Sequence, residues 1–141
     1  MKKLFLAISL VLVSAISANA AEKYATVNID YVLSKYPAAQ QATEWLKKQE
    51  IELQKFVVNA RQDLEKTPEA QKKAKEEKYN KELQTKAMNI RKQEEAKGKE
   101  IYAKFEEAVK TTAKSGGYTL VVPAAFYGAT DISEQVVKNL K

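Results

Sequence analysis

The stretch Lys66-Thr67-Pro68-Glu69 decides the fold, because it is the one interruption in a long run of helix-forming residues. From Ala38 to about Lys114 the chain is rich in Ala, Glu, Gln, Lys and Leu, which are strong helix formers. Thr67 is a suitable N-cap, and Pro68 suits the first position of the helix that follows it. We therefore expect two helices, at about 38–65 and 69–114, folded back on each other as a hairpin with its turn at 66–69.

A single continuous, kinked helix is the alternative, and it would leave an apolar stripe in water. With one gap, the stripe residues recur at spacings of three, four and seven, which is typical of coiled coils. In the first helix they are Ala42, Leu46, Leu53, Val57, Ala60 and Leu64, and in the second they are Leu83, Ala87, Ile90, Ile101, Phe105 and Ala108. Near the turn, from about 66 to 82, polar residues replace them, so we expect a mobile tip.

Short strand-forming segments flank the helices. The alternating residues Tyr24–Ile29 indicate a strand, and Asp30 is placed to cap a short helical turn after it. Gly116 and Gly117 mark the helix stop, and the β-prone run Tyr118–Val122 follows them.

The C-terminal residues continue the same pattern. A further short strand is expected at 125–127, and a last helix capped by Thr130 or Asp131 follows it. Two or three short strands make a poor sheet alone, so we expect neighbouring subunits to complete it. The residues expected to build this body are Val27, Ile29, Phe105, Leu120, Val121 and Val122.

The predicted fold class is α+β and mostly helical. A long antiparallel helical hairpin arm, residues 38–97, projects from a small β-strand body made of residues 21–37 and 98–141. Residues 21–141 form one domain in this interpretation, in keeping with their number.

The N-terminus reads as a secretory signal peptide, residues 1–20. Lys2 and Lys3 precede an apolar run from 4 to 13, and Ala18-Asn19-Ala20 places small residues before a cleavage point after Ala20. A membrane anchor is the alternative, but the run is too short to span about 30 Å of hydrocarbon.

Several function classes lack the residues they need. The chain has no Cys and no His, which removes the usual ligands of transition metals and the usual general acid–base side chain. No Gly-rich phosphate loop occurs, so neither an enzyme nor a cofactor is expected. The net charge of +6 is spread over mixed charges, so no specific nucleic-acid binding is expected either.

The order of these segments resembles a known family. Tyr24-Ala25-Thr26-Val27-Asn28-Ile29-Asp30, the Lys/Glu/Gln hairpin, Tyr118-Thr119-Leu120-Val121-Val122 and Thr130-Asp131-Ile132-Ser133 follow one another as in the Skp/OmpH family of periplasmic chaperones. The resemblance implies a homotrimer whose strands build a central body, with three hairpins around a cavity. It also implies that unfolded outer-membrane proteins are held there without ATP. A periplasmic structural or adaptor coiled coil without client binding is the alternative.

The hairpin carries the candidate binding residues. Between residues 66 and 104 twelve basic side chains stand against seven acidic ones, an excess that either attracts clients or belongs to a solvated helix face. The candidate client contacts are Lys72, Lys73, Lys75, Lys78, Tyr79, Leu83 and Met88. The resemblance implies a site for anionic lipid, including lipopolysaccharide, at Arg91, Lys92, Lys97 and Lys99.

Overall fold

The computed structural model describes residues 22–123, 125 and 127–140. The elements of this part, in chain order, are β1 (Tyr24–Thr26), α1 (Ile29–Lys35), α2 (Pro37–Glu65), α3 (Glu69–Gly116), β2 (Leu120–Val122), β3 (Thr130–Asp131) and α4 (Ser133–Asn139). The mostly helical α+β class is therefore confirmed. The predicted signal peptide, residues 1–20 with cleavage after Ala20, lies outside the described residues.

The two long helices form where the composition predicts them, and α3 alone has 48 residues. It ends two residues later than expected, in a glycine-capped turn. The N–H of Gly117 donates to the carbonyl of Lys114 at 3.3 Å, and that of Tyr118 donates to the carbonyl of Ala113 at 3.0 Å. Gly117 has a φ of 66°, which glycine adopts without the penalty that a side chain would bring.

The chain divides into two compact units. One comprises the described residues from 22 to 40 together with those from 101 to 140, and we call it the sheet unit. The other comprises residues 41–100, and we call it the hairpin unit.

In the sheet unit, β1 lies between two parallel neighbours, in the order β2-β1-β3. Ala25 is opposite Val121 on one side and Thr130 on the other. The strands come from distant parts of the chain, yet β1 finds both neighbours within it. The expectation that neighbouring subunits supply the pairing is thus not met for β1, and β2 and β3 are the edge strands.

The first strand is shorter than predicted, because a cap ends it. Asn28 is the N-cap of α1, and its side-chain oxygen accepts the N–H of Tyr31 at 2.9 Å. Asp30, the predicted cap, lies inside the helix instead. Asparagine is among the best N-cap residues, and its position two residues earlier moves the start of the helix forward.

The last strand also differs from the prediction. Ala125 and Tyr127 are not in a strand, and Phe126 lies outside the described residues. The third strand is Thr130–Asp131, which pairs with β1. A strand that forms by pairing with residues about a hundred positions earlier need not show a local alternation of apolar and polar residues. Ile132 holds the N-cap position of α4 without a side-chain hydrogen bond, and the predicted cap Asp131 accepts the N–H of Ser133, the first residue of that helix, at 2.9 Å.

The core of the sheet unit gathers one face of each of its elements. The C-terminal part of α3 contributes Phe105, Ala108, Val109 and Ala113, and α1 packs against α4. The full set of buried apolar residues is Ala25, Val27, Val32, Phe105, Ala108, Val109, Ala113, Val121, Ile132, Val136 and Leu140. Within the described residues, no helix is both long enough and apolar enough to cross a membrane.

Ile132 tests this core most directly, because it is fully buried at the junction of β3 and α4. Ile132→Ala removes packed methyl groups, and we expect it to lower the free energy of unfolding by about 2–5 kcal/mol. Urea unfolding followed by circular dichroism at fixed protein concentration measures the change. The control is Val58→Ala, at a residue that is 53% exposed and should shift stability by no more than about 0.5 kcal/mol. Equal losses in both variants would contradict this core.

Candidate functional site

In the hairpin unit, α2 and α3 meet along a seam in which apolar and charged residues alternate. The ring of Phe56 meets that of Tyr79 edge-on, with centroids 6.0 Å apart. The ammonium of Lys86 lies 5.2 Å from the centroid of Phe56, and that of Lys97 lies 5.3 Å from the centroid of Trp45. These pairs establish the antiparallel register of the seam. They also show lysines packed on aromatic faces where a coiled coil would place leucines.

In each helix, one predicted stripe residue is absent from the seam and its neighbour in the chain lies there instead. Phe56 takes the place predicted for Val57, which is 46% exposed. In α3 it is Lys86 that reaches the seam, whereas Ala87 is exposed. Spacings of three and four both fit a helical stripe, so periodicity alone does not choose between adjacent residues. The aromatic ring fills the space between the helices better than valine does.

Close to the turn, four polar side chains form a cluster that we call the turn cluster. An oxygen of Asp63 accepts hydrogen bonds from the ammonium of Lys75 at 2.6 Å and from the hydroxyl of Tyr79 at 2.8 Å. Lys75 also donates to the hydroxyl of Thr67 at 3.1 Å, and that hydroxyl donates to the backbone carbonyl of Asp63 at 2.6 Å. Thr67 is buried and ties the turn to α2, so its side chain does not act as the predicted N-cap of α3.

The turn cluster shifts the proton affinities of its members. The hydrogen bond from Lys75, with a further one from Tyr79, lowers the pKa of Asp63. The same carboxylate raises the pKa of Lys75 and, by accepting the phenolic proton, raises the pKa of Tyr79. All three shifts favour the protonation states in which the cluster forms.

The predicted client contacts lie in different environments. Tyr79 and Lys75 belong to the turn cluster, and Leu83 is half-buried. Met88 is 59% exposed.

The other predicted contacts are lysines near the turn. Lys72 pairs with Glu69 at 2.7 Å within the first turn of α3. Lys73 and Lys78 are exposed and form no ion pair with any residue that the structure describes. Of the predicted client residues, the structure brings Lys75 and Tyr79 together at Asp63, whereas Lys73, Lys78 and Met88 are exposed.

The four predicted lipid residues are likewise divided. Lys97 lies over the ring of Trp45 in the seam, and Lys99 pairs with Glu95 at 2.9 Å. Arg91 and Lys92 are exposed.

The predicted body residues lie in or beside the core of the sheet unit. Val27, Phe105 and Val121 are buried in it, whereas Leu120 and Val122 are partly buried. Ile29 is not in a strand, since it begins α1, and it packs against the core from there.

Sequence reasoning did not identify Phe56 as a seam residue or Asp63 as a member of the turn cluster. It also did not predict that the Thr67 side chain would bind Lys75 and the carbonyl of Asp63. Asp63 lies three residues before the turn at 66–69 and Tyr79 lies ten residues after it, so distance from the turn does not pair them, and an apolar stripe does not reveal polar partners. Within the described part of the chain, no group of acidic side chains stands close enough to hold a metal ion.

One comparison with known proteins bears on these features. The family model described as "Outer membrane protein (OmpH-like)" matches residues 23–140, which is most of the chain. No curated protein matches the sequence of this chain.

Asp63→Asn should loosen the turn cluster, because a neutral amide is a weaker acceptor for Lys75 and Tyr79. We expect the pKa of Tyr79 to fall towards its ordinary value and amide exchange near the turn to become faster. Both are measured by NMR. Glu76→Gln is the control, since that exposed carboxylate forms no ion pair with the residues that the structure describes. Equal exchange in both variants would mean that the cluster does not hold the turn.

The pKa shifts also predict how the turn responds to pH. Because the pKa of Asp63 is lowered, its stabilising contribution is present above the ordinary carboxyl pKa of about 3.9 and is lost as pH falls through the folded value. The pKa values of Lys75 and Tyr79 are raised, so their contributions are present below about pH 10 and are lost as pH rises through the folded values. The carboxyl carbon shift of Asp63 should titrate below the ordinary Asp pKa of about 3.9. A midpoint at or above that value would refute the predicted shift.

Proposed function

We propose that this chain, which belongs to the OmpH-like outer membrane protein family, is an ATP-independent holding chaperone for unfolded outer-membrane proteins. The observation that carries the proposal is the hairpin unit. Its seam is partly polar, while Ile51, Val57, Val58 and Met88 leave much of their apolar surface in water. These side chains are therefore available to contact the apolar side chains of a client.

The holding activity follows from many weak contacts. Exposed apolar side chains and unpaired lysines each bind a client weakly, and their number provides affinity without a shaped pocket. Such a surface accepts clients with no fixed structure, and release needs no nucleotide.

We further propose that the chain acts in the periplasm as a homotrimer. A sheet of three short parallel strands is small and exposes the edges of β2 and β3, so contact between subunits at these edges would protect them. Val121 lies inside the core of its own chain, so a charge placed there would unfold the subunit. Trimer variants therefore belong at the edges of the sheet.

The alternative is a structural or adaptor coiled coil without client binding. Such a protein needs a continuous apolar seam, whereas Asp63, Lys75 and Tyr79 interrupt this one near the turn. Anionic lipid binding would fall to Arg91 and Lys92, because Lys97 and Lys99 already have partners in the hairpin unit.

Native mass measurement of the protein, with and without a urea-denatured outer-membrane protein diluted into it, tests the proposal. We expect a homotrimer that takes up one client and keeps it soluble in the absence of ATP. A monomer, or a client that aggregates as fast as it does in buffer, would contradict the corresponding part of the proposal.

The excess of positive charge near the turn should speed client capture. Lys73→Gln, Lys78→Gln and Lys81→Gln together remove exposed charges without touching the turn cluster. We expect slower association at low salt and a flatter salt dependence, because screening acts over about 8 Å at physiological ionic strength. Stopped-flow fluorescence of a labelled client measures the rate.

The matched control removes three lysines of the sheet unit, with the substitutions Lys23→Gln, Lys114→Gln and Lys138→Gln. It changes the net charge equally, but at residues that do not belong to the hairpin unit. If both triple variants capture clients equally fast, the location of the charge near the turn has no effect.

A further inference from the structure

The seam between α2 and α3 has two sides, and the aromatic and charged contacts lie on one of them. On α2 these contacts come from Trp45, Phe56 and Asp63. The three residues are eleven and seven positions apart, close to whole numbers of helical turns, so they form one line along the helix. Their partners on α3 also form one line, which consists of Lys75, Tyr79, Lys86 and Lys97. We call these two lines the polar side of the seam.

The predicted apolar stripe of α2 follows a second line, on the other side of the seam. Leu46 and Val57 each come directly after a residue of the polar side, and one residue rotates a helix by about 100°. Leu53 lies on the same line, seven residues after Leu46. Leu46 and Leu53 are half-buried, and Val57 is 46% exposed. The second helix therefore covers this line only in part.

The apolar residues of α3 are rotated away from the polar side in the same sense. Ala87 follows Lys86 directly, whereas Leu83 and Ile90 lie four residues after Tyr79 and Lys86 respectively. A step of four residues is a full turn plus about 40°, so it has the same direction as a step of one residue. Two antiparallel helices are related by a two-fold axis perpendicular to the plane that contains both. The same rotation on each helix therefore leads to the same side of the pair.

The two sets of residues thus share one surface of the hairpin unit. We call it the apolar side, and its members are Leu46, Leu53, Val57, Leu83, Ala87 and Ile90. The contacts of Phe56 and Trp45 with α3 bracket this stretch, so the members from both helices lie at the same level along the hairpin unit.

The apolar side remains accessible to solvent. Among residues 41–100, all of which the structure describes, Thr67 is the one buried residue. The leucine and isoleucine side chains of the hairpin unit therefore keep some contact with water, although two helices pack against each other there. An accessible surface to which several apolar side chains contribute points to a binding role.

The length of the apolar side favours an extended partner over a helical one. From Leu46 to Val57 it covers eleven positions, which is about 16 Å along a helix. On α3 it ends at Asn80 towards the turn and at Glu94 in the other direction. A coiled-coil partner, such as a helix of a second copy, needs at least three heptads of apolar residues. About five residues of extended chain, in contrast, span the same 16 Å.

The charges beside the apolar side favour an uncharged partner. Glu50, Arg91 and Glu94 each lie four residues after one of its members, so each shares a helix face with that member. Lys86 and Lys97 belong to the polar side, where they lie over aromatic rings. An anionic headgroup would therefore meet two carboxylates and one guanidinium at this surface, whereas an uncharged apolar segment meets no repulsion.

We propose that the apolar side binds extended, uncharged polypeptide segments in which every second side chain is apolar. Alternate side chains of an extended chain point to opposite faces. Such a segment therefore turns its apolar side chains towards the hairpin unit and its polar side chains towards water. The inference rests on the proposed chaperone function, and it names the surface that performs it and the class of segment that this surface takes. Clients with a longer unfolded chain also reach the exposed residues on the outer faces of the two helices.

The test uses the full-length protein and two double variants that differ by one position in each helix. The first carries Val57→Gln and Ala87→Gln, which alter the apolar side. The second is the matched control and carries Val58→Gln and Met88→Gln, at positions about 100° further round each helix, on the outer faces. All four residues are exposed and glutamine is a good helix former, so both variants should keep the wild-type circular dichroism and thermal unfolding.

The probe is a short labelled peptide of alternating leucine and serine, and fluorescence anisotropy measures its binding. We expect the first variant to bind it about tenfold more weakly than the wild type, and the control variant to bind it within about twofold of the wild type. Because the peptide is uncharged, its affinity should be the same at low and at physiological ionic strength. A peptide of serine alone should not bind.

A second measurement locates the bound peptide directly. The chain has no Cys, so Val57→Cys and Val58→Cys each provide a single position for an environment-sensitive dye. Saturating peptide should shift the emission of the dye at position 57 to shorter wavelengths and leave that of the dye at position 58 unchanged. This comparison also decides the question if Ala87→Gln unfolds the hairpin unit.

Three outcomes would overturn the inference. They are equal peptide affinity of the first variant and the wild type, equal losses in the two double variants, and a wild type that binds phosphatidylglycerol vesicles but not the peptide. Dilution of a urea-denatured outer-membrane protein separates this inference from the proposed function. If the wild type does not keep that client soluble, the chaperone function fails. If it does so while the first variant binds the peptide as tightly as the wild type, only the role of the apolar side is wrong.

Discussion

The parallel pairing of β1 with β2 is the constraint on which the rest of the chain depends. Tyr24–Thr26 and Leu120–Val122 lie side by side, so everything between them must leave the sheet and return to it. Two long helices meet that requirement only if they run in opposite directions, and the turn at Thr67 and Pro68 makes this possible. The same closure brings the C-terminal part of α3 into the core of the sheet unit.

The hairpin unit solves a different problem, because its helices have few apolar residues to share. Lysine ammonium groups lie over aromatic rings. Near the turn, Asp63 accepts hydrogen bonds from Lys75 and Tyr79 with its carboxylate and from Thr67 with its backbone carbonyl. These contacts specify a register without the strength of a leucine seam. A helix pair held in this way leaves apolar side chains available for other partners.

The division between a partly polar seam and exposed apolar side chains relates the structure to the function that we propose. The seam uses polar groups for register, while Ile51, Val57, Val58 and Met88 are exposed outside it. In the function that we propose, such exposed apolar side chains hold a client, and the basic excess of the hairpin unit attracts it at a distance. A holding chaperone needs this combination because its clients present apolar side chains without a fixed shape.

The sequence by itself determined what depends on neighbouring residues. Both long helices, the turn between them and the glycine stop follow from propensity and local capping, so they were predicted closely. Only the tertiary structure decided what depends on residues far apart in the chain. Phe56 lies in the seam where Val57 was predicted, and Asp63 accepts a hydrogen bond from Tyr79. Periodicity does not distinguish adjacent positions of a helix, so the place of the partner helix decides which of them lies in the seam. Thr130–Asp131 became the third strand because β1 had a free side, and a pairing partner about a hundred residues away leaves no local pattern. Val57 and Val58 show the same limit, since whether a valine is buried or exposed depends on where the second helix lies.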